Sequence, residues 1–143
     1  MAKNLDKIGL KSIIKEFDTL YIDIWGVLHN GINLYESSVE ALNQLEKLNI
    51  EYVLLTNAPR PNDTVIKFLK KMGLDNNKCQ KVFTSGEAAL KYLKSNLHHL
   101  KFFHIGPPRD FDLFKDFEKM KLNNIDKSDY ILCTGLFDDH DKD

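Results

Sequence analysis

The sequence predicts an α/β protein: a parallel sheet with flanking helices, then the start of a second α/β unit. Three observations predict it. Short apolar runs rich in β-branched and aromatic residues alternate with segments of helical periodicity. Two of those runs stop at polar side chains, Asp23 and Thr56. Near Lys101 the strand–helix rhythm starts again, and the chain ends soon after a buried strand.

The elements follow in order. Ile8, Ile13, Ile14 and Phe17 predict a first helix with one apolar side, weakened at its start by Gly9. Residues 19–22 read as a buried strand, which places Asp23 where the strand stops. Residues 28–35 mix apolar residues with turn formers and predict a small hairpin flap above that end. Ser37 or Ser38 is the expected cap of a helix carrying Val39, Leu42, Leu45 and Leu48. Residues 50–55 are a nearly continuous apolar run, of the type buried on both faces.

Pro59 and Pro61 then interrupt regular structure. Asn62 or Asp63 caps a helix with Val65, Ile66, Leu69 and Met72 inward and Gly73 as its C′ residue. Residues 81–84 form a third strand, and Thr84 or Ser85 opens a helix through Ala88, Ala89, Tyr92 and Leu93. This pattern predicts a parallel sheet covered on both faces. Residues 102–105 are a further strand, broken by Gly106-Pro107-Pro108. Phe111, Phe114 and Phe117 continue as an apolar helical stripe that reads as core, and residues 129–134 are a last strand. The expected division is 1–99 and 100–143, with the second sheet unfinished, because a parallel strand needs a covering crossover.

The composition bounds the function. The chain has 143 residues, 43% hydrophobic and 29% charged, with a formal net charge of -1. That is enough for a real core, and it makes no electrostatic case for nucleic acid or an anionic membrane. No apolar run approaches a membrane span, and the N-terminus lacks the continuous apolar stretch of a secretory signal. Cys79 and Cys133 match no metal or redox spacing and read as reduced thiols of a cytoplasmic protein.

The chemistry concentrates at two strand ends. Adjacent parallel strands bring Asp23 and Thr56 to one rim, where open α/β sheets bind ligands. A carboxylate beside a hydroxyl and the backbone N–H groups of the turn at Asn57 suits a phosphate. Asp23 is the candidate nucleophile toward phosphorus, and Mg²⁺ would screen the repulsion between the two anions. Each residue also has a plain structural reading: Asp23 and Thr56 as turn caps, Arg60 as the partner of a surface acid and not of a substrate anion.

The stretches Asp23-Ile24-Trp25-Gly26-Val27-Leu28-His29-Asn30-Gly31 and Thr56-Asn57-Ala58-Pro59-Arg60-Pro61 resemble the first and second motifs of haloacid dehalogenase-like hydrolases. They are most similar to the class IIA branch and its subgroup with Trp in the first motif. Thr84-Ser85-Gly86 and His104-Ile105-Gly106 resemble that subgroup too, and the similarity runs from about Ile8 to Phe137. The resemblance implies a Rossmann-like core, Mg²⁺ dependence and hydrolysis of a small phosphorylated metabolite through an aspartyl-phosphate. It implies Asp23 as nucleophile and metal ligand, the Trp25 carbonyl as a second ligand, and Thr56 with the Asn57 backbone as the phosphate motif. It also makes residues 1–99 the N-terminal part of the core and 100–143 the beginning of an inserted cap.

Two departures from the family matter. Trp25 stands where the wider family carries an acidic general acid, and losing such an acid costs about two to four orders of magnitude in rate. His29 on the flap is the candidate substitute, against the plain reading of an exposed turn residue. The family's third-motif Lys and fourth-motif acidic pair are expected beyond the cap, and Asp138-Asp139-His140-Asp141 reads as a solvated tail and not as that pair. The readings carried forward are a phosphatase, an inactive truncated remnant, and one part of a split enzyme needing a complementing C-terminal chain. Self-association through an unfinished sheet edge is also expected. A dinucleotide-binding domain is disfavoured by the lack of G-x-G-x-x-G, and a phosphoacceptor receiver domain by the lack of an early acidic pair.

Overall fold

The computed structural model describes residues 5–137, so the acidic tail lies outside the described residues. The predicted first helix is broken. Helix α1 spans Leu5–Ile8, Gly9 takes a left-handed φ of 69°, and two single 3-10 turns follow at Leu10–Ser12 and Ile14–Glu16. Gly9 ends the helix because its backbone turns where an α-helix cannot continue. Of the four apolar residues expected inward, Ile14 is buried while Ile8 and Phe17 are exposed.

Three parallel strands form the first sheet in the order β1-β2-β3: β1 Thr19–Asp23, β2 Glu51–Thr56 and β3 Val82–Thr84. Helix α2, Glu36–Lys47, connects the first pair, and α3, Asn62–Lys71, with the short α4, Asn76–Cys79, connects the second. The strand order advances in one direction. Right-handed crossovers therefore put both connecting helices on the same face. Tyr52 and Leu54 of β2, Leu42 and Leu45 of α2, and Val65 and Leu69 of α3 share one core with Ile14 and Cys79. On the opposite face Tyr21 is 74% and Leu55 41% exposed. The expectation of a sheet covered on both faces is thus corrected: β2 alternates buried and exposed residues, with one face packed.

The caps refine the predicted boundaries. Neither Ser37 nor Ser38 caps α2: its N-cap is Tyr35, and the Ser38 hydroxyl donates instead to the Val27 carbonyl at 2.6 Å. Helix α3 begins at Asn62 behind Pro61, which is its N-cap residue, so neither Asn62 nor Asp63 caps it. Gly73, φ 95°, ends α3 as expected, with Leu74 N–H bonded to the Leu69 carbonyl at 3.1 Å.

Helix α5, Ser85–Tyr92, leaves β3 and runs on through a π turn at Leu93–Leu97. It leads to a second parallel sheet of order β5-β4-β6: β4 Phe102–Ile105, β5 Lys121–Leu122 and β6 Tyr130–Cys133. Between β4 and β5, residues Pro108–Met120 wind as 3-10 turns with breaks at Phe114 and Phe117, not as the predicted α-helix. Phe114 and Phe117 are buried together all the same. They pack with Leu93, Phe102 and Leu113 in a second core, while Phe111 is partly exposed.

Candidate active site

The parallel pairing of β1 with β2 places Asp23 opposite Leu55, one residue short of Thr56. Asp23 and Thr56 therefore end adjacent strands at the same rim, as the alternation predicts. Asp23 is exposed, and its Oδ1 accepts from the N–H of Ile24 at 2.8 Å. That bond holds the carboxylate at the strand end.

The segment after Asp23 is anchored by two buried side chains, Ile24 and Leu28. Backbone bonds from Leu28 N–H to the Ile24 carbonyl and from Gly26 N–H to the His29 carbonyl, both 2.8 Å, close the first turn. His29 then bridges antiparallel to Leu34, which makes the predicted flap a single short turn. Asn30 organises its tip: its side-chain oxygen accepts from the N–H groups of Ile32 at 2.9 Å and Asn33 at 2.8 Å. The Trp25 ring lies over Gly31, where a Cβ would sit 2.7 Å from the indole. Gly31 has a φ of 93°, so the backbone requires glycine there.

His29 is 3% exposed, which corrects the plain reading of an exposed turn residue. Its Nδ1 accepts from Gly31 N–H at 2.9 Å, leaving the proton on Nε2. Burial lowers its pKa from the ordinary 6.5, because the apolar surroundings disfavour the charged ring. The imidazole is therefore a neutral hydrogen-bond donor at pH 7.

Thr56 is buried, and its Oγ1 accepts from Ala58 N–H at 3.2 Å. The hydroxyl shapes its own turn and retains its proton to donate. The turn is clamped from behind by the start of α5. The Ser85 hydroxyl donates to the carbonyls of Asn57 at 2.8 Å and Ala58 at 3.0 Å. The buried Thr84 hydroxyl donates to the Arg60 carbonyl and accepts from Glu87 N–H at 2.8 Å, capping α5. Gly86 N–H bonds the Ala58 carbonyl at 3.1 Å, and a Cβ on Gly86 would lie 2.2 Å from the Arg60 nitrogen. Site reasoning from the sequence missed this clamp as a positioning device, although Thr84-Ser85-Gly86 had stood out as family-like.

The Arg60 Nε lies 3.4 Å from Oδ1 of Asp110, a residue 2% exposed. Arg60 thus pairs with an acid, but with a buried one from the second unit and not with a surface group. Thr64 also reaches across, its hydroxyl donating to Asp112 at 2.5 Å. No local signal in the sequence could reveal either contact, since the partners lie 50 and 48 positions apart.

Trp25, His29, Thr56 and Arg60 line one cleft of about 300 Å³ with Phe68 and Asp110. Asn57 is exposed beside it. Asp23 is not among the residues lining that cleft. It lines a separate, largely apolar groove of about 860 Å³ between β1 and α2, with Leu20, Ile22, Leu42 and Leu45. Among the described residues no three His, Cys, Asp or Glu side chains cluster to hold a metal ion. Asp23 and the Trp25 carbonyl would supply two oxygens, a partial set of the kind Mg²⁺ accepts together with water and phosphate.

A family model described as haloacid dehalogenase-like hydrolase matches residues 20–119. The chain belongs to the haloacid dehalogenase-like hydrolases. Among solved structures, it is similar to a haloacid dehalogenase-like hydrolase from Brucella suis 1330. The identity is 27% and the TM-score 0.76, over 90% of this chain and 46% of that one. The fold is shared with a 4-nitrophenylphosphatase from Thermotoga maritima, 20% identical with a TM-score of 0.65, over 85% of this chain and 46% of that one. It is also shared with a glycerol phosphate phosphatase from Mycobacterium tuberculosis in complex with magnesium. There the identity is 22% and the TM-score 0.63, over 87% of this chain and 38% of that one. This chain therefore spans less than half the length of each of these structures. No curated protein matches the sequence.

Proposed function

We propose that the chain carries the nucleophile half of a phosphate-monoester hydrolase acting on a small phosphorylated metabolite. One observation carries the reading: Asp23 and Thr56 end adjacent parallel strands at a common rim. In this mechanism an Asp23 oxygen attacks phosphorus and the ester oxygen departs with its electron pair, leaving an aspartyl-phosphate. Water then attacks that phosphorus, releasing inorganic phosphate and restoring the carboxylate. Thr56 donates its hydroxyl proton in a hydrogen bond to a phosphoryl oxygen, the exposed Asn57 turn offers its backbone, and Arg60 directs positive charge toward the same cleft. Asp23 and the Trp25 carbonyl would hold Mg²⁺, which when bound would offset the negative charge gathered on carboxylate and phosphate. Trp25 has no acidic proton, so His29 assists the leaving oxygen as a hydrogen-bond donor.

In this reading residues 1–99 belong to the core and 100–143 begin a cap. We place the protein in a reducing compartment, the cytoplasm, because Cys79 and Cys133 are free thiols. Hydrolysis of 4-nitrophenyl phosphate with and without Mg²⁺, for the parent chain and Asp23→Asn, tests the reading. The substitution is expected to abolish Mg²⁺-dependent turnover, and equal rates would overturn it.

A second reading, the split enzyme, is favoured by the apolar groove beside Asp23. It lies at the free edge of β1, where a further parallel strand and its helix would bury the groove and bring side chains to face the carboxylate. We propose that a complementing C-terminal segment fills it and supplies the Lys and acidic pair of the family's third and fourth motifs. Such groups facing Asp23 would add several kcal/mol of transition-state stabilisation.

A further inference from the structure

We infer that the cleft beside Thr56 is shaped for a planar, conjugated leaving group, so that the substrate class is an aryl phosphate and not an alkyl phosphate. The inference rests on the phosphohydrolase reading and adds the chemical class of the ester. Its first support is the aromatic wall. Trp25 is 64% exposed, with one edge of its ring over Gly31. Its ring meets His29 edge to face, with centroids 5.3 Å apart and planes at 84°. His29 in turn meets Phe68 at 5.5 Å and 74°, and Phe68 is 41% exposed. Two open aromatic surfaces are therefore braced by one buried ring, and all three line the cleft that contains Thr56.

A large aromatic left in water gains free energy when a second ring covers it, beyond the area term. The cleft of about 300 Å³ is at the small end of ligand pockets, enough for a single-ring group and its phosphate. In this proposal the ester substituent of a phosphate held at Thr56 lies against this wall, since both line one cleft.

The second support is independent and chemical. In the proposed mechanism the usual acid is replaced by the indole of Trp25, which carries no ionisable proton, and His29 gives a hydrogen bond without giving up its proton, so the oxygen departs as an anion. A phenol has a pKa of about 10, as tyrosine does, whereas an alkyl alcohol, like water, is a far weaker acid. Phenolate leaves without protonation far more readily than alkoxide. The residue that removes the usual acid is thus also the residue that would stack on the group least in need of one.

Trp25 is the single tryptophan of the chain, so its fluorescence reports on the cleft directly. The Asp23→Asn chain, which cannot turn substrate over by the proposed route, is titrated with phenyl phosphate, glycerol phosphate and orthophosphate in the presence of Mg²⁺. Phenyl phosphate is expected to quench the indole and to bind about tenfold tighter than glycerol phosphate. Calorimetry with Trp25→Leu added should show that preference, taken as the ratio of the two ester affinities, reduced to about threefold or less. Trp25→Phe should restore it, which separates loss of the ring from loss of the fold, and Phe68→Leu should weaken it in part. Equal affinities for the aryl and alkyl esters, with orthophosphate still bound, would overturn the inference and leave the phosphoryl site standing. No binding of orthophosphate at all would overturn the phosphohydrolase reading and this one with it.

Discussion

At the scale of single residues, close approach decides more than charge. Gly86 is buried with ordinary backbone angles, so its requirement is purely steric: the turn of Arg60 occupies the place of a side chain. Gly86→Ala is expected to push the Asn57–Arg60 turn off the start of α5. The cost is about 1–3 kcal/mol, with a larger loss of phosphate binding than of stability. Urea midpoints and orthophosphate titration would separate the two effects. His104 makes a different prediction. It is buried between Phe111 and Phe114, and its Nε2 meets the Thr134 hydroxyl at 2.9 Å. Burial first, and the Lys121 charge second, lower its pKa from 6.5, against an opposing pull from Asp110. The folded chain therefore takes up this proton at lower pH than the unfolded chain does. Stability is full above about pH 6.5 and declines as the pH falls from there toward the folded value. His29 acts in the same direction. The urea midpoint should drop between pH 7.5 and 5.5, and His104→Gln should flatten that slope; a pH-independent midpoint would contradict the account.

At the scale of elements, propensity named the strands well and the helices less evenly. The runs ending at Asp23 and Thr56 are strands because their apolar side chains need a sheet surface, and their polarity switches where the sheet stops. The Phe111-Phe114-Phe117 stripe was legible as core, but Phe114 and Phe117 leave helical geometry. Helix α3 carries the clearest energetic prediction. Leu69 is fully buried between the sheet and α4 residues such as Cys79. Leu69→Ala should cost about 2–5 kcal/mol through lost burial and a partly unrelaxed cavity. Since α3 follows the phosphate turn directly, ester binding should weaken in parallel. Asp110→Ala tests the link between the units. It removes the partner of Arg60 and should raise the mobility of the turn and weaken ester binding with little change in the midpoint, since Arg60 keeps access to water.

At the scale of the whole molecule, the edge of β1 is the open question. Co-expression with a complementing C-terminal segment should cover the groove beside Asp23 and raise Mg²⁺-dependent turnover by orders of magnitude; a homodimer through the same edge would bury the groove without that gain. Sedimentation and activity of the co-purified pair distinguish the two. Among the described residues no helix is long and apolar enough to cross a membrane.

The sequence alone determined the strand–helix alternation, the strand ends at Asp23 and Thr56, and the family, because hydrophobic period and short motifs are local properties. Tertiary structure decided the rest. Right-handed crossovers placed α2 and α3 on one face and left Tyr21 and Leu55 open. Packing buried His29, tied Arg60 to Asp110 from fifty positions away, and set Asp23 in a groove apart from the Thr56 cleft. These are distances between segments, and a local pattern of residues carries no record of what the fold will bring against it.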